Sequence, residues 1–165
     1  MNKSKFLIAV LGLMVASLSH AANVPSESEM TKVAKNIKVE YEKQANEEDK
    51  KKYRESIISD LENQASSSLP VKMSEDISWE KMKTNSNKIT YSYKVSQQMS
   101  EQIKQSQSIP ETKIEFKKSF SEFLCTNPIM KTLLDIGIKV ELEYLGTKNE
   151  KVIPNLSLNK SDCKN

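Results

Sequence analysis

Hydrophobic positions along the chain follow two different periods. From Met30 the apolar residues fall at Met30, Val33, Ala34, Ile37 and Tyr41, the three-and-four spacing of an amphipathic helix. Ile37, Val39 and Tyr41 also alternate, so a short strand competes there. In the charged run from Gln44 to Lys52 acidic residues precede basic ones, as the helix dipole favours. A narrow stripe of Tyr53, Ile57, Ile58, Leu61 and Ala65 follows and predicts a helix over 47–65. The run Ser66 to Pro70 ends it, because proline disfavours the helical conformation at the residue before it.

The period then changes to two. Ile77 and Trp79 alternate with polar neighbours, Asn85 to Asn87 is a turn signal, and Ile89, Tyr91, Tyr93 and Val95 alternate with Thr90, Ser92 and Lys94. These runs predict a β-hairpin with one buried face. Trp79 and the two tyrosines fall on that face, where they serve either as a ligand platform or, more commonly, as cross-strand packing. The glutamine- and serine-rich stretch Gln97–Ser108 reads as a helix end or a loop. Beyond Pro110, the residues Phe116, Phe120, Phe123 and Leu124 mark one apolar helix face, with Ile114 ahead of them.

The stretch from Phe123 to Ile138 has the clearest punctuation. Pro128 suits the first turn of a helix, where its missing N–H costs nothing, and Thr126 or Asn127 can cap it. Ile129, Leu133, Leu134 and Ile136 supply a buried face. Gly137 stands where a left-handed C-terminal residue is needed, with Ile138 beyond it for the apolar contact that accompanies such caps. Ile138, Val140, Leu142 and Tyr144 then alternate as a strand, Gly146–Asn149 turns it, and Val152–Leu158 returns as a second strand with Pro154 marking an edge or bulge. The order of helices, hairpin, helix and hairpin predicts an α+β fold. Its antiparallel sheet has about four strands, with helices packed on one face.

The N-terminus adds a compartment. Lys3 and Lys5 precede an unbroken apolar or small run from Phe6 to Ala16, and Ser19 and Ala21 are small residues at the −3 and −1 positions of a cut. That is the layout of a secretory signal peptide over 1–21, with cleavage near Ala21. The run is short for a membrane span, which needs roughly 20 residues. No cysteine follows it, so no lipid attachment point and no stable membrane anchor are expected after cleavage. The expected organisation is a signal peptide over 1–21, a polar or helical lead-in over 22–46 and a single domain over 47–165, in a periplasmic or secreted protein.

Export changes how the two cysteines read. In an oxidising compartment the lone pair Cys125 and Cys163 is most simply a structural disulfide. Free thiols or a metal site with two sulfur ligands are the alternatives, and the latter needs further ligands that histidine cannot supply. His20, inside the leader, is the only histidine, so a Ser-His-Asp or Cys-His arrangement is excluded from the mature chain. Gly137 and Gly146 are its only glycines, too few for a phosphate-cradling loop. No cofactor is expected and no catalytic set stands out. Removing Lys3 and Lys5 takes the formal net charge from +3 to +1, with lysines and glutamates mixed along the chain and no basic stripe for nucleic acid.

The residues Cys125 to Lys131, Leu133 or Leu134, Gly137-Ile138, the two-strand run and Asp162-Cys163 resemble the C-terminal half of small α/β pilotins of type II secretion systems. Leu69-Pro70-Val71-Lys72 is similar to the start of the sheet in the same family, and the resemblance covers roughly 55–163. It implies a sheet flanked by helices and pinned by a Cys125–Cys163 disulfide. It also implies a non-enzymatic protein that binds a secretin or another envelope protein, through a groove between helix and sheet or by strand addition at an edge. The family's delivery role uses an N-terminal lipid, and the cysteine that would carry it is absent here. The alternative function is an inhibitor or immunity-type protein acting on an envelope-directed enzyme or toxin.

Overall fold

The computed structural model describes residues 26–106 and 110–163; the expected leader over 1–21 lies outside them. Helix α1, Glu27–Glu42, begins with a capping box in which Ser26 Oγ accepts from the Glu29 amide and the Glu29 carboxylate accepts from the Ser26 amide. This reciprocal pair satisfies two amides that would otherwise lack partners at the helix start. Met30, Ala34 and Ile37 are buried, whereas Val39 is 37% exposed, so the helical period prevails over the competing alternation at 37–41. The helix predicted within the 22–46 lead-in therefore shares the main hydrophobic core.

Helix α2, Glu47–Ser68, starts at Asn46, whose side chain accepts from the Asp49 amide, and carries Glu47, Glu48 and Asp49 in its first turn. It buries Ile58, Leu61 and Ala65 and runs three residues past the predicted end. Leu69 is extended (φ −88°, ψ 148°) and is joined to Pro70 by a cis peptide bond. Strand β1, Val71–Lys72, pairs with β2, Ile77–Asn85, which pairs antiparallel with β3, Lys88–Val95, around a tight turn carrying Ser86 at φ 51°.

Glu80 forms a bulge in β2. Trp79 faces Tyr93, but Lys81 faces Ser92, so the parity of the strand shifts by one residue. Because of that shift Met82 rather than Lys81 turns inward, and both Trp79 and Met82 are buried. The predicted alternation at 77–79 could not be continued across this extra residue.

The stretch Gln97–Ser108, read as a helix end or loop, contains helix α3, Gln97–Ser106, and residues 107–109 lie outside the description. Helices α4, Pro110–Thr126, and α5, Pro128–Asp135, follow. This all-helical crossover is long enough to return the chain to the same end of the sheet, so β4, Lys139–Leu145, lies parallel to β3. The expected sheet of about four antiparallel strands is thus a mixed sheet of five, in the order β1-β2-β3-β4-β5. Treating the last two strands as a local hairpin hid the parallel pairing, because spacing within a strand carries no information about its neighbour.

Strand β5 is shorter than the predicted 152–158 run. Only Leu156–Leu158 pairs along β4, with an isolated bridge between Leu145 and Lys151. Val152 and Ile153 are consecutive and both buried, which regular alternation forbids, and Pro154 interrupts the run. The buried apolar residues of β2 to β5, including Trp79, Met82, Tyr91, Val140, Leu142 and Leu158, face the helices, so the helices cover one side of the sheet. A 3-10 turn, Lys160–Cys163, closes the described chain.

Candidate functional site

The residues singled out in the sequence punctuate the two ends of α5. Asn127 is its cap: the side-chain oxygen accepts from the Ile129 and Met130 amides, both at 3.0 Å, and the residue is buried. Pro128 occupies the first turn. At the other end, Gly137 has φ 92°, its amide donates to Leu134 O and the Ile138 amide donates to Leu133 O, each at 3.0 Å. This is a complete Schellman cap, with Ile138 and Leu133 both buried. Cys125, in the last turn of α4, is bonded to Cys163 with a Cα–Cα distance of 5.4 Å, within the usual range for a disulfide.

The Trp79 and tyrosine row belongs to the core and is not a platform. Trp79 and Tyr91 lie 5.6 Å apart and Tyr93 stacks on Tyr144 at 5.3 Å. Trp79 satisfies its indole N–H on the Lys81 carbonyl at 3.0 Å. Burial pushes the hydroxyls of Tyr91, Tyr93 and Tyr144 above their ordinary pKa. These groups therefore stay neutral throughout the physiological range and supply no base.

Next to the disulfide lies an open groove of about 570 Å³, between α4 on one side and the sheet edge and 3-10 turn on the other. Ile114, Lys117, Lys118, Ser121 and Glu122 line the helical wall, and Leu156 and Asp162 the other. Ile114 is 68% exposed, and Phe123, on the same helix, is 42% exposed. These are large apolar side chains left in solvent on a helix whose Leu124 is fully buried. The sequence grouped Phe120, Phe123 and Leu124 on one apolar face, and the structure divides them. Leu124 enters the core, Phe120 packs at its margin and Phe123 points out; the side chain of Phe116 lies outside the description.

Three polar side chains in the groove, those of Lys117, Asp162 and Ser121, are already engaged. Lys117 Nζ lies 2.8 Å from Asp162 Oδ1, and Asp162 Oδ2 accepts from the Asn159 amide at 2.9 Å. Partial burial opposes the charge on Asp162, but the Lys117 and Asn159 hydrogen bonds outweigh it and hold the carboxyl below its ordinary pKa. Ser121 Oγ donates to the Lys118 carbonyl at 2.8 Å, so its hydroxyl proton points into the helix. A neutral mixture of charges beside the exposed Ile114 and a short edge strand is suited to holding a polypeptide. Nothing among the described residues in the groove pairs a nucleophile with a base. Among the described residues no group of three or more histidine, cysteine, aspartate or glutamate side chains could hold a metal. No described helix is long and apolar enough to cross a membrane.

Sequence alone could not locate this groove. Ile114 and Phe123 have the same character as the buried Leu124, and only the direction of α4 relative to β5 decides which of them reaches solvent.

No protein-family model matches the chain, and no curated protein matches it either. Solved structures do. A secreted protein of Pseudomonas aeruginosa superposes with a TM-score of 0.59 at 16% identity, over 69% of this chain and 96% of that one. EpsS, the pilotin of the Vibrio vulnificus type 2 secretion system, gives a TM-score of 0.53 at 13% identity, over 70% and 96% of the two chains. AspS, the type II secretion system pilotin of Vibrio cholerae, gives 0.51 at 13% identity, over 68% and 94%. The chain therefore has the α+β fold of these pilotins and of the secreted Pseudomonas protein, with its five-stranded mixed sheet, helical layer and single disulfide.

Proposed function

We propose that this is an exported, periplasmic and non-enzymatic protein that binds a secretion-system or envelope protein through the groove between α4 and the edge strand β5. The observation that carries the reading is the exposure of Ile114 in that groove, on a fold shared with two pilotins. A large exposed apolar side chain on a helix facing a strand edge matches two recurrent ways of holding a peptide, helix in groove and strand addition. The disulfide ties the end of α4 to the turn behind β5, so both walls are fixed relative to each other before a partner arrives. In this reading residues 1–21 are a cleaved leader, and the protein acts as an adaptor in the periplasm.

Affinity capture from periplasmic extract tests it, with the processed protein and an Ile114→Asp variant run side by side. A secretion-system or envelope component held by the first and lost by the second supports the proposal. A toxin or hydrolase captured in its place would favour the inhibitor reading. Equal recovery of the same partner by both forms would remove the groove from consideration.

A further inference from the structure

The face of the sheet turned away from the helices has a charge pattern that the linear sequence conceals. Rows across the strands follow from the pairing register. One row sets Asn85, Lys88 and Lys139 side by side, the next Lys83, Thr90, Glu141 and Ser157, and the next Lys81, Ser92 and Glu143. The last row brings Lys72, Ser78, Lys94 and Leu145 together, with Lys151 bridged to Leu145. Each row carries at least one lysine. Adding Glu80 at the bulge, the face holds seven lysines against three glutamates, an excess of four positive charges. Of the formal net charge of +3, Lys3 and Lys5 account for two, which leaves +1; with +4 on this face, the remainder sums to −3. The strands alternate, and alternation has sorted a nearly neutral chain into a basic sheet face and a slightly acidic remainder.

The face is also broad and plain. Five strands at roughly 4.8 Å spacing give it a width near 20 Å. The ion pairs on it are Lys88–Glu141 at 2.9 Å and Lys151–Glu143 at 3.5 Å; Lys72, Lys81, Lys83, Lys94 and Lys139 have no ion pair among the described residues. Glu75 and Asp76 in the β1–β2 loop offset charge at the Lys72 end, so the excess is centred on Lys81, Lys83, Lys88 and Lys139. The cations are lysines, compact charges that attract diffusely, and no arginine is there to grip a phosphate in a fixed geometry. Trp79, Tyr91 and Tyr93 all lie on the opposite side, so among the described residues no aromatic ring of these strands is available there to stack a base.

We propose that this helix-free sheet face is a docking surface for an anionic phospholipid bilayer. A broad, lysine-studded face whose hollow lies at the Lys72 end, away from Lys81, Lys83, Lys88 and Lys139, matches an extended negative surface better than it matches a protein or a nucleic acid groove. Attachment is electrostatic, reversible and sensitive to salt, because exposed charges are screened over about 10 Å at 0.1 M ionic strength. It leaves the α4–β5 groove free, since that groove borders the sheet edge and not this face.

The test is co-sedimentation of the processed protein with vesicles of phosphatidylcholine alone or with about 30% phosphatidylglycerol, at low and at physiological salt. Binding to the anionic vesicles only, weakening with salt, is expected. Lys81→Glu with Lys83→Glu should weaken it by about tenfold or more, while the same charge change on α1, Lys32→Glu with Lys35→Glu, should alter it by less than about threefold. Both pairs are exposed, and matched melting curves verify that the variants are folded. No binding, equal binding to neutral vesicles, equal loss in both variants, or a preference for duplex DNA over the anionic vesicles at matched salt would each overturn the proposal.

Discussion

Ile138 donates its backbone amide to the carbonyl of Leu133 at 3.0 Å, and the side chains of the same two residues are fully buried. One contact thus closes the end of α5 and fastens it to the first residues leading into β4. Gly137 makes the turn possible. A Cβ at that position would meet no atom within 4 Å, so only the backbone conformation, φ 92°, restricts what can stand there. Gly137→Val should therefore cost more than about 1 kcal/mol through strain at a left-handed position. Gly137→Asn should cost distinctly less, since asparagine tolerates that region. Thermal melting of the two variants checks this. Equal melting temperatures would show that strain at this position is not what the substitution acts on.

Asn127 holds the opposite end of the same helix, and its two acceptor bonds are to amides in a buried setting. Asn127→Ala should destabilise by about 1–2 kcal/mol, towards the upper end of capping effects because water cannot easily replace the side chain. Asn127→Asp or Asn127→Ser should recover much of the loss. Chemical denaturation of the three variants measures it.

The Cys125–Cys163 bond spans 38 residues, which covers α5, β4 and β5. For a loop of that size, the chain-entropy model gives a contribution of about 4 kcal/mol. The double substitution Cys125→Ser, Cys163→Ser should lower stability by that order, and alkylation of the freshly exported native protein should find no free thiol. Two readily alkylated thiols in the native protein would contradict the bond.

Asp162 gives a pH dependence with a definite sign. Its carboxyl ionises at lower pH in the folded protein than its ordinary value of 3.8, because the Lys117 and Asn159 contacts outweigh the effect of burial. A depressed folded pKa contributes stability that is present above the unfolded value and lost as pH falls through the folded one. The wild-type protein should therefore be more stable than Asp162→Asn at pH 7, and the difference should shrink as pH falls below about 4. Melting curves across that range measure it, and a gap that stays constant or widens in acid would contradict the assignment.

Punctuation made the α5 region legible. Proline, glycine and the residues beside them have conformational requirements that act locally, so spacing alone placed both ends of the helix. Alternation of Ile89, Tyr91, Tyr93 and Val95 likewise identified β3 and its inner face. What escaped was non-local. The parallel pairing of β3 with β4 depends on where three helices return the chain. The bulge at Glu80 depends on its partner strand, and the emergence of Ile114 at a groove depends on the path of α4 beside β5. The basic sheet face was hidden for the same reason, since lysines separated in sequence by polar and acidic residues become neighbours only across strands.

The central claim is that the α4–β5 groove holds a protein partner, and a photo-crosslinking residue placed at Ile114 in the living cell tests it most directly. Val39, exposed on α1 away from the groove, is the matched control position. The account predicts a discrete crosslinked adduct to a secretion-system or envelope protein from position 114 and none from position 39. No adduct at 114, or the same adducts at both positions, would contradict it.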